Sequence, residues 1–265
     1  MDSAVLMALV ATVGTWLVTA LGAGTVVFFR SPAPKVMNLM LGFASGVMIA
    51  ASFWSLLQPA IERAEEALCL PSYIVVTLGF LFGALFVWGS DKIVTRARVR
   101  ASRAEEGIRS RRIIMLILSI TLHNIPEGLA VGVAFGALRN GNFTPEGLMG
   151  AITIAIGIGL QNFPEGAAVS LPLKREGFSG KKSFLFGQAS GAVEPLAGVL
   201  GALLVAYVET LLPFALSFAA GAMILVAVHE LIPECQKDQE DQPYFATMGI
   251  ILGFALMMLL DVMLG

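Results

Sequence analysis

Charged side chains are scarce in this chain. Only 14% of its 265 residues are Asp, Glu, Lys or Arg, whereas 57% are hydrophobic. Soluble domains carry about 25% charged residues. The composition therefore excludes an ordinary soluble domain and indicates an integral membrane protein.

Cysteine and phosphate-binding motifs are also lacking. The two cysteines, Cys69 and Cys235, fall in separate predicted loops on opposite sides of the membrane. We therefore expect neither a disulfide nor a paired thiolate metal site. No Gly-x-x-x-x-Gly-Lys segment occurs, so we expect no use of ATP. We likewise expect no organic cofactor and no nucleic-acid partner.

Long apolar runs dominate the chain instead. About 20 apolar residues cross a bilayer as one helix, and the sequence predicts eight such helices in a single all-α transmembrane domain over residues 1–265. The first run is too long, and lacks the basic start, to be a cleaved signal peptide. The eight runs lie near residues 4–29, 36–57, 72–90, 113–138, 147–173, 183–208, 213–233 and 244–264.

Basic residues are distributed unevenly among the predicted loops. Fifteen Lys and Arg residues fall in the odd-numbered loops, eight of them in the loop at about 91–112, against Arg63 and Arg139 in the even-numbered loops. Because cytoplasmic loops carry the excess of Lys and Arg, we predict that both termini lie on the outer face. The arginines of the 91–112 loop would then contact anionic lipid of the bilayer.

Two of the spans share a sequence pattern. Residues 43–49 read FASGVMI and residues 218–224 read FAAGAMI, and each span ends near a proline, Pro59 or Pro233. In the predicted topology the first span runs outward and the second inward. We therefore predict a 3+2+3 inverted-repeat arrangement of the eight helices, which is typical of secondary transporters. A shared Ala/Gly/Met-rich composition is the alternative explanation.

Two polar hexapeptides interrupt the apolar runs. Residues 123–128 read HNIPEG and residues 161–166 read QNFPEG. A charged side chain at the bilayer centre costs at least a few kcal/mol, so it seldom occurs there without a function. The proline of each hexapeptide removes a backbone hydrogen bond and frees a carbonyl that can face a cavity. Simple kinks with protonated, packed glutamates are the alternative interpretation.

The spacing within each hexapeptide predicts two neighbouring metal positions. On a helical wheel with about 100° per residue, Glu127 projects between His123 and Asn124. The second hexapeptide follows the same geometry, so one glutamate on each helix can bridge two metal ions. The first predicted position is lined by His123, Glu127, Gln161 and Glu165. The second is lined by Asn124, Asn162 and the far oxygens of the same glutamates.

These ligand types suit a metal ion that must be released. Imidazole, carboxylate and amide oxygen together suit Zn²⁺, and also Cd²⁺, Fe²⁺, Mn²⁺ or Co²⁺. No thiolate is available to hold a permanent structural metal. The metal is therefore expected as a transported substrate rather than as a resident cofactor.

The paired hexapeptides, the eight spans, the outer termini and the basic third loop resemble the ZIP (Zrt/Irt-like) divalent-metal transporters, in the branch of bacterial GufA-like proteins. The resemblance covers essentially the whole chain. It implies zinc-preferring uptake into the cytoplasm by alternating access through a midplane binuclear metal site. It also implies a homodimer in the cytoplasmic (inner) membrane of a bacterium.

The resemblance assigns further ligands and shows two departures from the family pattern. It implies that Met48 joins the first metal position, and that Glu194, which precedes Pro195, joins the second. Many relatives have histidine in place of Gln161 and an acid in place of Asn162. The loss of a charged ligand at Asn162 is expected to weaken the second position.

Acidic residues near both faces suggest a route for the ion. Glu62 and Asp261 lie toward the outer face, where an acid in an apolar run would attract cations. On the cytoplasmic side the resemblance makes His229 and Glu230 an exit station, and Asp91 could assist there.

Two other functions fit the same residues. An intramembrane di-metal hydrolase would use the glutamates as a general base for a metal-activated water. A passive metal-selective channel would need the same polar residues without alternating access. The inverted repeat and the acids spread from one face to the other favour the transporter.

Overall fold

The computed structural model describes residues 3–28, 33–67, 71–102, 121, 124–139, 143–175, 177–236 and 244–264. All regular structure within these ranges is helical. Seven helices of the described ranges are long and apolar enough to cross a membrane. They are Ser3–Val27, Pro34–Glu65, Ser72–Ile93, Pro145–Lys174, Gly180–Val205, Leu212–Cys235 and Tyr244–Leu264.

These seven helices correspond to seven of the eight predicted spans. The fourth predicted span, 113–138, lies largely outside the described residues, although residues 124–136 form a helix. The prediction of an all-α chain is confirmed for the described ranges. The basic loop at about 91–112 is described only to residue 102, and there it continues the helix of the third span.

Eleven α-helices make up the described part of the chain, and several spans are built from two of them. In chain order they are α1 (Ser3–Gly24), α2 (Pro34–Ala51), α3 (Gln58–Ala67), α4 (Ser72–Ser102), α5 (124–136), α6 (Pro145–Arg175), α7 (Gly180–Ser190), α8 (Glu194–Tyr207), α9 (Leu212–Val226), α10 (Ile232–Cys235) and α11 (Tyr244–Leu264).

Capping residues and prolines explain where several helices begin. Helix α2 starts at Pro34, whose missing N–H costs nothing in the first turn. Helix α7 is capped by Ser179, whose hydroxyl accepts a hydrogen bond from the Lys182 backbone N–H at 3.3 Å. Helix α6 instead continues through Pro164 and Pro172, so the second hexapeptide lies within a helix rather than at a break.

Two spans contain a π-helical segment near one end. Ser52–Leu57 joins α2 to α3, and Ala227–Leu231 joins α9 to α10. The Ser52 hydroxyl donates to the Met48 carbonyl at 2.7 Å, which supplies that carbonyl with a donor where the helix widens. Wide turns of this kind occur frequently at functional sites, and the second one carries His229 and Glu230.

Glycines bring four pairs of spans into backbone contact. A Cβ on Gly46 would collide with the Ile250 carbonyl oxygen, which joins α2 to α11. The same kind of contact joins α4 to α9 at Gly83, α1 to α6 at Gly22, and α5 to α8 at Gly132. Small residues allow this close packing between membrane helices, where the hydrophobic effect does not drive association.

The outer surfaces of the bundle are apolar, as a lipid-facing surface requires. Helix α4 exposes Tyr73, Phe82 and Trp88, and α11 exposes Ile251 and Val262. The interior between the helices is filled by aliphatic and methionine side chains, including Val47, Met48, Ile158, Met223 and Met257. Cys235 is buried, and Cys69 lies outside the described residues.

Candidate metal centre

Six polar side chains are buried where α5, α6 and α8 approach one another. Each of them is at most 8% exposed, and the helices that carry them are otherwise mostly apolar. Burying a carboxylate is costly unless it is paired, hydrogen-bonded or bound to a metal. The six residues are Asn124 and Glu127 on α5, Gln161, Asn162 and Glu165 on α6, and Glu194 on α8.

Glu127 and Gln161 join the two hexapeptides directly. The Gln161 Nε2 donates to Glu127 Oε1 at 2.6 Å, which links α6 to α5. The carboxylate of Glu165, one helical turn from Gln161, lies close enough to interact electrostatically with that of Glu127. Two carboxylates and one amide therefore lie together in the middle of the bundle. We refer to Glu127, Gln161 and Glu165 as the first position.

The first position contains buried oxygens that lack hydrogen-bond donors. Glu127 Oε2, Gln161 Oε1 and Glu165 Oε1 find no donor among the described residues. A buried acceptor without a partner costs about 1–3 kcal/mol, and more when it is charged. Buried oxygens of this kind can coordinate a divalent cation, which would take the place of the missing donors. The chemistry of the donor set therefore fits a metal ion.

Asn162 and Glu194 form a second polar group beside the first. The Asn162 Nδ2 lies 2.9 Å from each carboxylate oxygen of Glu194 and donates to them. Helix α1 completes the group, because the hydroxyls of Thr15 and Thr19 also donate to Glu194, at 2.5 and 3.4 Å. Both oxygens of this buried carboxylate therefore have protein donors, whereas Glu127 Oε2 and Glu165 Oε1 have none among the described residues.

The remaining predicted ligands of the centre are His123, Met48 and Asn124. His123 lies outside the described residues, so its role stays a prediction. Met48 is fully buried on α2, and α2 packs against α6. Asn124 is also buried, and its Oδ1 has no donor among the described residues. No group of three or more His, Cys, Asp and Glu side chains in the described ranges could hold a metal. The first position therefore depends on amide oxygens or on His123.

Of the predicted cytoplasmic exit residues, Glu230 lies within electrostatic range of the centre. Glu230 is half-buried on the π-helical segment Ala227–Leu231, and its carboxylate interacts electrostatically with that of Glu165. His229 beside it is exposed, and Asp91 is half-buried on α4. Glu230 thus lies nearer to the first position than a residue of a solvated helix end would.

A cavity of about 510 Å³ opens at the predicted outer end of the bundle. It is lined by Glu62 and Asp261, the two outer acids singled out from the sequence, and also by Glu146. The Ser55 hydroxyl donates to Asp261 Oδ1 at 2.6 Å, which fixes this acid between α11 and the π-helical segment Ser52–Leu57. Ile154 on α6, two turns before Gln161, lines the same cavity.

Four further polar residues, which the sequence motifs do not single out, are brought to these sites by the fold. Thr15 and Thr19 contact Glu194, and Ser55 and Glu146 belong to the outer cavity. A signal for the threonines was present, since they are four residues apart and therefore share one face of an apolar helix. Glu146 gave no such signal, because it follows a proline at the start of α6, and an acid near a helix N-terminus is explained by the helix dipole alone.

The long apolar helices and the buried carboxylate–amide centre define a polytopic membrane protein with a polar site in its interior. Comparison with known proteins gives the family. Residues 100–261 match the sequence model of the family described as "ZIP Zinc transporter". The chain is 39% identical to "Zinc transporter ZIP11" of Homo sapiens, across 99% of this chain and 98% of that protein.

Bacterial relatives are similar over nearly the same extent. The chain is 34% identical to "Zinc transporter GufA" of Myxococcus xanthus, across 97% of this chain and 98% of that protein. It is 35% identical to "Zinc transporter ZIPB" of Bordetella bronchiseptica, across 93% and 78% of the two chains. The chain therefore belongs to the ZIP family, in its GufA-like branch. The relatives are named as transporters rather than as enzymes, which argues against the hydrolase alternative.

Proposed function

We propose that this protein transports divalent metal ions, zinc in preference, across the bacterial cytoplasmic membrane into the cytoplasm. The observation that carries the proposal is the set of buried oxygens on Glu127, Gln161 and Glu165 that lack donors among the described residues. The names of the relatives supply zinc as the cargo. Cd²⁺, Fe²⁺, Mn²⁺ and Co²⁺ suit the same mixed ligands.

The proposed metal centre has two adjoining positions. His123 and the thioether of Met48 complete the first position, so that imidazole, carboxylate, amide and thioether donors surround the ion. Asn124, Asn162 and Glu194 line the second position, which is the weaker because Asn162 carries no charge. The backbone contact beside Glu127 supports the proximity of Glu127 and Glu194, because a Cβ on Gly128 would lie 2.5 Å from the Glu194 carbonyl oxygen.

The proposed route runs from the outer cavity to Glu230. Asp261, Glu62 and Glu146 make the outer cavity attractive to cations, because acids in a low-dielectric recess raise the local cation concentration. At the other side, Glu230 interacts with Glu165 and lies beside the exposed His229. An ion that leaves the first position would thus meet a carboxylate and an imidazole on its way to the cytoplasm.

Alternating access is the proposed mechanism, and the packing of the helices supports it. Helix α1 packs on α6, α7 and α8, and α5 contacts α8 through glycine, so the helices that carry every proposed ligand of the centre except Met48 form one group. Helices α2, α4, α9 and α11 form a second group through the pairs α2–α11 and α4–α9. Movement of the first group against the second would expose the centre to one face at a time.

The glycine contacts also support the inverted repeat. With the spans numbered 1 to 8, backbone contacts join spans 1 and 5, 2 and 8, 3 and 7, and 4 and 6. The predicted inverted repeat exchanges span 1 with 6, 2 with 7, 3 with 8, and 4 with 5. Under this exchange the contact between spans 1 and 5 becomes the contact between spans 6 and 4, and the contact between spans 2 and 8 becomes the contact between spans 7 and 3. The two π-helical segments, in spans 2 and 7, exchange as well. We therefore propose the 3+2+3 arrangement, with both termini outside and two chains in a homodimer.

Uptake by proteoliposomes tests the proposal. The full chain is reconstituted with a fluorescent zinc reporter inside, and the initial rate is measured against external zinc. We expect saturable uptake that Glu127→Gln abolishes, because a carboxamide cannot supply the anionic ligand. Glu65→Gln is the matched control, since Glu65 is exposed on α3 and outside the centre.

Two results would overturn the proposal. Saturable uptake retained in correctly inserted Glu127→Gln protein would remove the metal centre from the pathway. A rate that rises linearly with zinc, without counterflow of labelled zinc into preloaded vesicles, would favour a channel instead.

A further inference from the structure

Glu194 is held by hydrogen bonds from three side chains on two other helices. Asn162 on α6 donates to both of its oxygens, and Thr15 and Thr19 on α1 donate one bond each. The Asn162 Nδ2 also lies 3.2 Å from the Thr15 carbonyl oxygen. We refer to Thr15, Thr19, Asn162 and Glu194 as the Glu194 clamp.

The space around the clamp is closed. Glu194 and Asn162 are fully buried, and Thr19 is 1% exposed. Gly191 packs directly over the carboxylate, since a Cβ there would lie 2.9 Å from Glu194 Oε1 and 3.0 Å from Thr19 Oγ1. A cation bound to both oxygens of Glu194 would therefore have to displace a protein donor.

A protein N–H donor occupies the bidentate position of Glu194, whereas the Oδ1 of the same amide has no donor among the described residues. The Asn162 Nδ2 lies at the same 2.9 Å from both oxygens, where a chelated cation would lie. An amide nitrogen donates hydrogen bonds and has no lone pair to offer a metal. The N–H groups of Asn162, assisted by the two threonines, thus supply the partial positive charge that a second ion would supply.

We propose that the Glu194 clamp replaces the second metal ion, so that each protomer of this chain binds a single ion, in the first position. The inference rests on the proposed function for the first metal position, and it replaces the ion of the second position by hydrogen bonds from the protein. Asn162 is then the residue that determines the stoichiometry. Thr15 is a positioning residue, which holds Glu194 against α6 and ties α1 into the same moving group of helices.

Metal stoichiometry tests the clamp. The full chain is purified in detergent, dialysed against low-micromolar zinc, and its zinc content per protomer is measured by mass spectrometry. We expect one equivalent in the wild type and two in Asn162→Asp, because a carboxylate beside Glu194 removes the N–H donors and adds an anionic ligand. Two equivalents in the wild type, one of which is lost in Glu194→Gln, would overturn the clamp, as would one equivalent in folded Asn162→Asp.

Thermal unfolding gives a second test that does not depend on a buried new charge. Thr15→Val removes one donor to Glu194 and should lower the Tm by about 2–4 °C, an effect that excess zinc does not reverse. Thr12→Val is the matched control, because Thr12 is equally buried on α1 and donates to the Ala8 carbonyl of its own helix at 2.7 Å. Equal Tm values for the two variants would overturn the clamp, as would a Thr15→Val deficit that zinc restores.

The same zinc measurements separate this inference from the proposed function. If the single equivalent of the wild type disappears in Glu127→Gln, the first position is supported and the clamp is tested on its own. If the wild type binds no zinc, or binds it independently of Glu127, the proposed function fails and the clamp inference fails with it.

Discussion

The two sides of the buried polar centre contain the same chemical groups but differ in the hydrogen bonding of their carboxylates. On one side Gln161 on α6 meets Glu127 on α5, and oxygens of both residues lack donors among the described residues. On the other side Asn162 on α6 meets Glu194 on α8, and both oxygens of Glu194 have donors, although Asn162 Oδ1 has none among the described residues. A buried carboxylate therefore does not mark a metal position by itself. We propose that the state of its second oxygen distinguishes a metal ligand from a structural anchor.

The largest difference between the two sides is expected in transport. Glu165→Gln should lower zinc uptake at least about 100-fold, because it removes an anionic ligand from the first position. Glu194→Gln should lower uptake only several-fold, through looser packing of α1, α6 and α8. Initial rates in proteoliposomes, normalised to correctly inserted protein, measure both. An equal loss of zinc uptake in Glu165→Gln and Glu194→Gln would contradict a functional difference between the two sides.

A second prediction concerns the spacing between the two sides. Helices α5 and α8 meet at Gly128, where a Cβ would lie 2.5 Å from the Glu194 carbonyl oxygen and 2.9 Å from the Ala197 Cβ. Gly128→Ala should therefore destabilise the protein by about 1–3 kcal/mol through overpacking. Gly14→Ala on α1 is the matched control, because a Cβ there meets nothing within 4 Å of it.

Thermal unfolding in detergent measures this effect. Since alanine is favoured over glycine within a helix, Gly14→Ala should raise the Tm slightly or leave it unchanged. A Gly128→Ala protein as stable as Gly14→Ala would contradict the backbone contact between α5 and α8.

The smallest predicted effect lies in the outer cavity. Asp261→Asn should raise the KM for zinc a few-fold at low ionic strength without changing the maximal rate, because the acid attracts the cation before it reaches the centre. The difference should shrink at high salt, where the charges are screened. A lower maximal rate with an unchanged KM would place Asp261 in the translocation step instead.

Much of the fold could be predicted from the sequence because it depends on composition and local spacing. Seven of the predicted spans reappear as apolar helices, since about 20 apolar residues in a row need no tertiary information to be recognised. The matching helical-wheel positions in the two hexapeptides grouped Gln161 with Glu127, and Gln161 does donate to Glu127. Whether these residues bind metal stays a prediction.

The clamp and the outer cavity could not be predicted because they depend on how distant helices rotate against one another. Thr15 and Glu194 are 179 positions apart, and nothing in the local pattern of α1 shows which of its faces meets α8. The same holds for Ser55 and Asp261, which are 206 positions apart. The π-helical segments are also invisible in the sequence, because one extra residue in a turn leaves no mark on an apolar run.

Anomalous diffraction at the zinc edge from crystals of the wild-type protein tests the central claim most directly. We expect one peak per protomer at the first position, about 2.0–2.2 Å from a carboxylate oxygen of Glu127. We expect no peak within that distance of either Glu194 oxygen, both of which keep their bonds to Asn162. A peak bound to Glu194, or zinc density only outside the bundle, would contradict a single ion at the first position.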